Sequence, residues 1–152
     1  MAQSLSKVLI HAIFSTKGRK PFLKGRDDRL RAHEFIGGIS REQACPPIIV
    51  GGTADHVHLL ASLGRSVSQA ELVKEVKRAS SLWIKKELGR PYRSFGWQTG
   101  YGVFSISQSQ IAATRKDIAD QEQHHQKVSF QDEFRRFLKK YDITYDERYV
   151  WD

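Results

Sequence analysis

Two histidines one residue apart, His56 and His58, are the residues of this chain whose type and spacing most directly indicate chemistry. They lie in Asp55-His56-Val57-His58-Leu59-Leu60, an alternating and largely apolar segment. Successive side chains of a β-strand point to opposite faces, so both imidazoles should emerge on one face, while Val57 and Leu59 face a core. Two parallel neutral imidazoles can bind one divalent metal ion. The strand therefore predicts half of a metal site. The alternative is a pair of histidines that are merely exposed on a strand.

The elements around this strand predict a single α+β domain. A chain of 152 residues, 39% of them hydrophobic, can form one hydrophobic core without stabilising cross-links. The pattern indicates strands at 5–15, 48–50, 56–63 and 97–106, with helices at about 27–39 and 69–88. The pair Gly51-Gly52 should supply the turn before the histidine strand. The order β-α-β-β-α-β predicts a ferredoxin-like or RRM-like antiparallel sheet, with two helices on one face and the second face free for a ligand or another element.

A polar helix predicted at about 108–127 offers the donors that the histidine pair lacks. Two histidines are too few to hold a reactive metal, and this helix has too thin an apolar face for an ordinary packed helix. Its candidate third ligands are Asp117, Gln121, His124 and His125. An oxygen ligand beside two imidazoles would leave positions open for water or phosphate, which suits Mg²⁺ or Mn²⁺ acting as a Lewis acid. An amphipathic helix and an aromatic tail follow, at about 129–152.

The charge balance favours a partner that carries phosphates. The chain has 25 Lys and Arg against 17 Asp and Glu, a net charge of +8. We expect two groups of basic residues to contact DNA, although a solvated surface is the simpler interpretation for any one of them: Lys17, Arg19, Lys20, Lys24 and Arg26 in a loop, and Lys74, Lys77 and Arg78 on the second helix.

Composition also limits where the chain works. No apolar stretch approaches the roughly 20 residues that span a bilayer, so no membrane partner is expected. The N-terminus is interpreted as a first strand rather than a signal peptide. The single Cys45 excludes an intrachain disulfide and a cysteine zinc site, and it is compatible with a reducing cytoplasm.

The chain as a whole resembles the single-tyrosine transposases, including the REP-associated group. The Asp55–Leu60 strand looks like their HUH motif, which is histidine, hydrophobic residue, histidine. The resemblance extends to the first strand with His11, to Trp97–Ser105, to Ile118–His125 and to Phe130–Phe134. It therefore covers a single HUH transposase-like domain at 1–152, with a core at 5–106, the polar active-site helix at about 108–127 and the C-terminal helix and tail at about 129–152.

The resemblance implies a concrete activity. Such enzymes are RRM-like homodimers that bind DNA hairpins near the ends of a mobile element and cut single-stranded DNA without ATP. The two HUH histidines and a glutamine hold a divalent metal that polarises the scissile phosphate, and by position the glutamine matches Gln121. A tyrosine one turn earlier attacks and leaves a phosphotyrosine link. The thin apolar face of the polar helix agrees with a helix that contributes to a site on a partner subunit.

The sequence departs from that family at the nucleophile. The position four residues before Gln121 is Asp117, and no tyrosine lies between Tyr101 and Tyr141. Attack by a carboxylate would give a labile acyl phosphate. We therefore expect a transposase-family protein that retains metal and DNA binding but not normal strand transfer. The alternatives are an enzyme that recruits Tyr101, although this residue is more simply a packed strand aromatic, a hydrolytic nickase that uses Asp117 and water, and a domesticated hairpin-binding regulator.

Overall fold

The protein, described over residues 2–152 by a computed structural model, contains four strands and five helices. The strands are β1 (Leu9–Ser15), β2 (Pro47–Gly52), β3 (His56–Ser62) and β4 (Gly102–Ile106). The helices are α1 (Arg26–Glu42), α2 (Gln69–Glu87), α3 (Ile111–Ala119), α4 (Gln121–His124) and α5 (Phe130–Lys140). Over the described residues, no helix has both the length and the apolar character that a membrane crossing requires.

The four strands form one antiparallel sheet in the order β2-β3-β1-β4. Strand β1 lies in the centre, with Ile13 opposite His58 and His11 opposite Leu60 on β3. Helices α1 and α2 each connect strands that are not neighbours in the sheet. The predicted α+β, ferredoxin-like plan with additional C-terminal helices is confirmed.

The sheet is buried on both faces. Val57, Leu59 and Ala61 pack on one face within the main core, as their alternation with the histidines predicts. On the opposite face, Ile13 and Phe104 meet Phe130, Phe134 and Leu138 in a second apolar cluster that includes α5. The chain therefore covers the face that the sequence pattern left free, and the histidine pair is enclosed.

Three predicted elements are shorter than their sequence patterns. Strand β1 begins at Leu9 rather than at residue 5. Strand β4 begins at Gly102 rather than at residue 97, and Trp97 makes only an isolated bridge to Thr16. The intervening segment is held by Lys77, whose ammonium donates to the carbonyl oxygens of Gln98, Thr99 and Gly100 at 2.9, 3.2 and 2.6 Å. The polar helix is interrupted at Asp120, where φ is −95° and ψ is 18°.

Gly51 and Gly52 end β2 instead of forming the turn itself. A Cβ on Gly51 would lie 2.6 Å from Ile118 Cγ2 and 2.7 Å from the Ile118 carbonyl oxygen of α3. Gly52 has a φ of +151°, and a Cβ there would lie 2.2 Å from the His56 carbonyl oxygen. Both positions require glycine because another part of the backbone comes too close for a side chain.

Candidate metal centre

His56, His58 and His125 direct their Nε2 atoms toward one point. In each ring, the Nδ1 atom contacts a partner on the outside of the site. His56 Nδ1 lies 2.8 Å from the carboxylate of Asp55, and His125 Nδ1 lies 2.6 Å from the carbonyl oxygen of Val128. His58 Nδ1 lies 2.7 Å from His11 Nε2. Because a carboxylate and a carbonyl only accept, His56 and His125 carry their proton on Nδ1 and keep an Nε2 lone pair.

The three Nε2 atoms converge on Gln121 and Glu133. Gln121 Oε1 lies 3.0 Å from His56 Nε2 and 2.8 Å from His125 Nε2. Glu133 Oε1 lies 3.1 Å from His58 Nε2. One ligand atom from each of His56, His58, His125 and Glu133 falls within 4.8 Å of all the others. We call these four residues together with Gln121 the donor cluster.

The donor cluster fits a divalent metal ion. His58 Nε2 and Glu133 Oε1 are buried and have no hydrogen-bond partner, although they lie 3.1 Å apart. Buried polar atoms are normally satisfied, and a divalent ion held by both atoms would satisfy this pair. Adjacent ligands placed at about 2.1 Å from one octahedral ion lie about 3 Å apart, which is the spacing found here. Imidazole nitrogens and carboxylate and amide oxygens are also suitable donors for such an ion.

The protonation states agree with this arrangement in part. Burial lowers the pKa of His58 to about 4, so its imidazole is neutral at pH 7. Burial would raise the pKa of Glu133, but the imidazoles of His125 and His58 hold it well below its usual range, so the carboxylate is ionised. Burial would lower the pKa of His125, but Glu133 raises it above its ordinary value. A metal ion would therefore compete with a proton mainly at His125.

Asp117 and Tyr101 occupy different environments. Asp117 is exposed on α3 and lines a cavity of about 910 Å³ whose wall also includes His58, Gln121 and Glu133. We call it the central cavity. The carbonyl oxygen of Asp117 accepts a hydrogen bond from Gln121 Nε2 at 3.2 Å. Tyr101 is 38% exposed, precedes β4 and does not line this cavity. The structure thus brings Asp117, but not Tyr101, to the donor cluster.

The basic residues that the sequence suggested for DNA lie elsewhere. None of the eight lines the central cavity. The Lys77 ammonium donates hydrogen bonds to three carbonyl oxygens, and Arg78 forms a salt bridge with Glu75 at 2.6 Å. Arg19 lies 5.7 Å from the ring centroid of Trp151. The others are Lys17, Lys20, Lys24 and Arg26 in the loop before and at the start of α1, and Lys74 on α2.

Sequence reasoning missed Glu133 and the contact of His11. Glu133 is buried beside the apolar stripe of α5, between Phe130 and Phe134. A carboxylate on the buried side of an amphipathic helix needs a partner, and this signal was available in the sequence. The role of His11 depends on the pairing of β1 with β3, which no local pattern specifies. His124 lies 2.7 Å from the other Glu133 oxygen.

The donor cluster assembles within one chain. Helix α3 packs on β2 at Gly51, and Arg29 of α1 forms a salt bridge with Glu122 of α4. Gln121 therefore reaches His56 of its own chain. This differs from the expected helix that serves a partner subunit. The physical reason is that the glycine at position 51 lets α3 lie directly against the edge strand.

Comparison with known proteins gives the family of this chain. The sequence profile described as "Transposase IS200 like" matches residues 4–121, which is most of the chain. The chain belongs to this transposase family. Family membership implies a DNA-cleaving enzyme in general terms, and the family generally uses a divalent metal. No curated protein sequence matches this transposase-family chain.

Two solved structures share the fold of this transposase-family chain. One is a candidate transposase from Deinococcus radiodurans R1, with 21% identity and a TM-score of 0.61 over 80% of this chain and 95% of that one. The other is a REP-associated tyrosine transposase bound to a REP hairpin, with 14% identity and a TM-score of 0.59 over 96% of this chain and 91% of that one.

Proposed function

We propose that this transposase-family protein binds single-stranded hairpin DNA and holds a divalent metal ion, Mg²⁺ or Mn²⁺, at His56, His58 and Gln121. The family match and the hairpin bound to a structural neighbour support the DNA partner. The observation that carries the metal assignment is the set of imidazoles that converge on Gln121, with Glu133 completing the cluster.

The residues around the site have separate tasks in this proposal. A bound divalent ion would supply Lewis-acid polarisation of a phosphodiester oxygen. Asp55 and Val128 hold the imidazoles of His56 and His125 in the tautomer that leaves Nε2 free. The Gln121 amide is oriented through its nitrogen, which donates to the Asp117 carbonyl oxygen, so that its oxygen faces Nε2 of His56 and His125. These contacts keep the donors in place before DNA arrives.

The nucleophile position is where this chain departs from phosphotyrosine chemistry. Asp117 stands where the family pattern has its tyrosine, four residues before Gln121. A carboxylate cannot form the stable phosphotyrosine link that conserves the cut bond for rejoining. We therefore propose that the metal and DNA apparatus is retained and that normal strand transfer is absent.

A hydrolytic nickase is a second candidate. Asp117 lines the same cavity as His58, Gln121 and Glu133. From there its carboxylate could orient or deprotonate a water that attacks the phosphate, which would leave a free 5′-phosphate. A regulator that binds hairpins without cutting them is the non-enzymatic alternative.

A denaturing protein gel with a labelled hairpin oligonucleotide and Mn²⁺ tests the proposal. We expect the wild-type protein to bind the hairpin without a covalent adduct, and Asp117→Tyr to gain one, because the rest of the site is intact. Adding His56→Ala to Asp117→Tyr should remove the adduct, which serves as the matched control.

Other results would change the assignment. A wild-type adduct that survives Asp117→Ala but disappears in Tyr101→Phe would assign the nucleophile to Tyr101 and overturn the proposal. Cleavage products with a free 5′-phosphate would favour the hydrolytic nickase. Calorimetry provides an independent check, because His56→Ala should lose Mn²⁺ binding. Unchanged binding would make the ligand assignment wrong.

We also propose a homodimer that works in the cytoplasm. Because one chain supplies the complete donor cluster, a dimer would serve to hold two DNA ends rather than to complete a metal site. Light scattering with and without hairpin DNA tests this, and a monomer in both conditions would contradict it.

A further inference from the structure

The central cavity is a half-open site next to the donor cluster. Its walls come from α3, the segment after it and α5, together with His11 of β1, His58 of β3 and Ile106 of β4. Its volume of about 910 Å³ lies in the range of about 300–1,000 Å³ that is typical of sites for small organic groups such as a nucleotide. Phe137 and Tyr141 give one side of the cavity an aromatic wall.

The charges around this cavity are not balanced. Three cations line it, Lys127, Arg136 and Lys140, and among residues 2–152 none of them forms a salt bridge. Two of the acids that line it are already occupied. Asp120 pairs with Lys116 at 3.2 Å, and Glu133 lies among the imidazoles of His58, His124 and His125. Asp117 is the third acid in the lining and, among residues 2–152, forms no salt bridge. The cavity therefore presents three unpaired cations against one unpaired carboxylate beside a proposed metal site.

Helix α5 aligns two of these cations with the donor cluster. Glu133, Arg136 and Lys140 follow one another at spacings of three and four residues, which places them on one side of a helix. Glu133 lies 3.1 Å from His58, whereas Arg136 and Lys140 are exposed at the cavity. The same rigid helix thus carries a metal-site carboxylate and two cations directed toward the same space.

We infer that Arg136 and Lys140 bind the phosphate backbone of single-stranded DNA in the central cavity, next to the phosphate that reaches the metal. The nature of the strand rests on the proposed function, but the phosphate site itself does not require a bound metal. Guanidinium and ammonium groups are the usual phosphate contacts of DNA-binding proteins, and aromatic rings accept stacked bases without sequence preference. This assigns DNA contact to α5 rather than to the loop at 17–26.

Salt titration of DNA binding tests this assignment without involving catalysis. The probe is fluorescein-labelled oligo(dT), measured by anisotropy in EDTA at several salt concentrations. Each phosphate contact on a single strand adds about 0.7 to the slope of log K against log salt. Arg136→Ala and Lys140→Ala should each reduce the slope by about 0.7, and the double variant by about 1.4.

Lys139→Ala is the matched control. Lys139 is exposed on the same helix and carries the same charge, but it does not line the cavity. We expect its salt slope to stay at the wild-type value. The inference is overturned if Lys139→Ala and Lys140→Ala have equal effects, or if neither cavity variant changes the slope. Binding of the matching duplex should be insensitive to Arg136→Ala and Lys140→Ala, and an equal loss there would also contradict a site for a single strand.

The outcome is separable from that of the metal proposal. If His56→Ala leaves Mn²⁺ binding unchanged while Lys140→Ala lowers the salt slope in EDTA, the metal assignment fails and the phosphate site stands. If Mn²⁺ binding depends on His56 while the salt slope is insensitive to Arg136 and Lys140, the metal assignment stands and the phosphate site fails. Arg136, Lys139 and Lys140 are all at exposed positions, and unchanged thermal melting of their alanine variants would exclude a folding defect.

Discussion

Replacing Gly51 by alanine should separate α3 from the sheet and thereby disturb the donor cluster. The added Cβ would lie 2.6 Å from Ile118 Cγ2 and 2.7 Å from the Ile118 carbonyl oxygen. The side-chain contact could be relieved by a rotamer change, but the carbonyl belongs to the helix backbone. Restoring an ordinary contact of 3.4 Å therefore requires α3 to retreat by about 0.7 Å.

The expected cost has two parts. Overpacking of a tight contact typically destabilises a protein by about 1–3 kcal/mol. The same displacement moves Gln121, which follows Ile118 by three residues and lies 3.0 Å from His56 Nε2. A shift of more than about 0.5 Å exceeds the tolerance of a preorganised site. We therefore expect Gly51→Ala to weaken Mn²⁺ binding by about tenfold or more, as loss of a supporting contact does in other metal sites.

Urea denaturation and calorimetry measure the two parts separately. Gly38→Ala is the matched control, because Gly38 lies inside α1 and a Cβ there meets nothing within 4 Å. That variant should gain about 0.5–1 kcal/mol from helix propensity and bind Mn²⁺ normally. If Gly51→Ala is as stable as the control and binds Mn²⁺ equally well, the close approach of α3 does not position Gln121, and our account of the site is wrong.

Two further predictions concern the effect of the titratable residues His33 and Lys77 on stability. Burial lowers the pKa of His33 to about 4, so the unfolded chain binds the additional proton between about pH 6.5 and pH 4 and stability falls as the pH drops. Between about pH 7 and pH 5, His33 should lower the free energy of unfolding by about 2 kcal/mol. His33→Leu should remove this part of the pH dependence, which urea denaturation measures. Lys77→Met should cost about 1–3 kcal/mol, since the carbonyls of residues 98–100 lose their donor, without altering the salt slope of DNA binding. Lys74→Met, at an exposed position, should leave stability unchanged, and an equal loss in both lysine variants would contradict the explanation.

The order of secondary structure could be predicted because it depends on local patterns. The alternation around His56 predicts a strand with Val57 and Leu59 facing a core, and these side chains do so, although the histidine face of β3 is buried as well. Helix α2 begins at Gln69, as predicted, because the hydroxyl of the preceding Ser68 accepts a hydrogen bond from the Glu71 amide at 3.0 Å. Segment lengths were less predictable. β4 loses its first five predicted residues because Lys77 binds the carbonyl oxygens of residues 98–100, an interaction between distant parts of the chain.

By itself, the sequence determined the types of donor available: a histidine pair on one strand, and a glutamine on a polar helix with an aspartate four residues before it. Only the tertiary structure decided which of them meet. His11 and Glu133 come from β1 and α5, 47 residues before and 75 residues after His58, yet both contact its imidazole. Such contacts depend on strand register and on the close approach of α3 to Gly51, and neither is encoded in a local pattern. Local spacing therefore predicts part of the donor cluster, and long-range packing completes it.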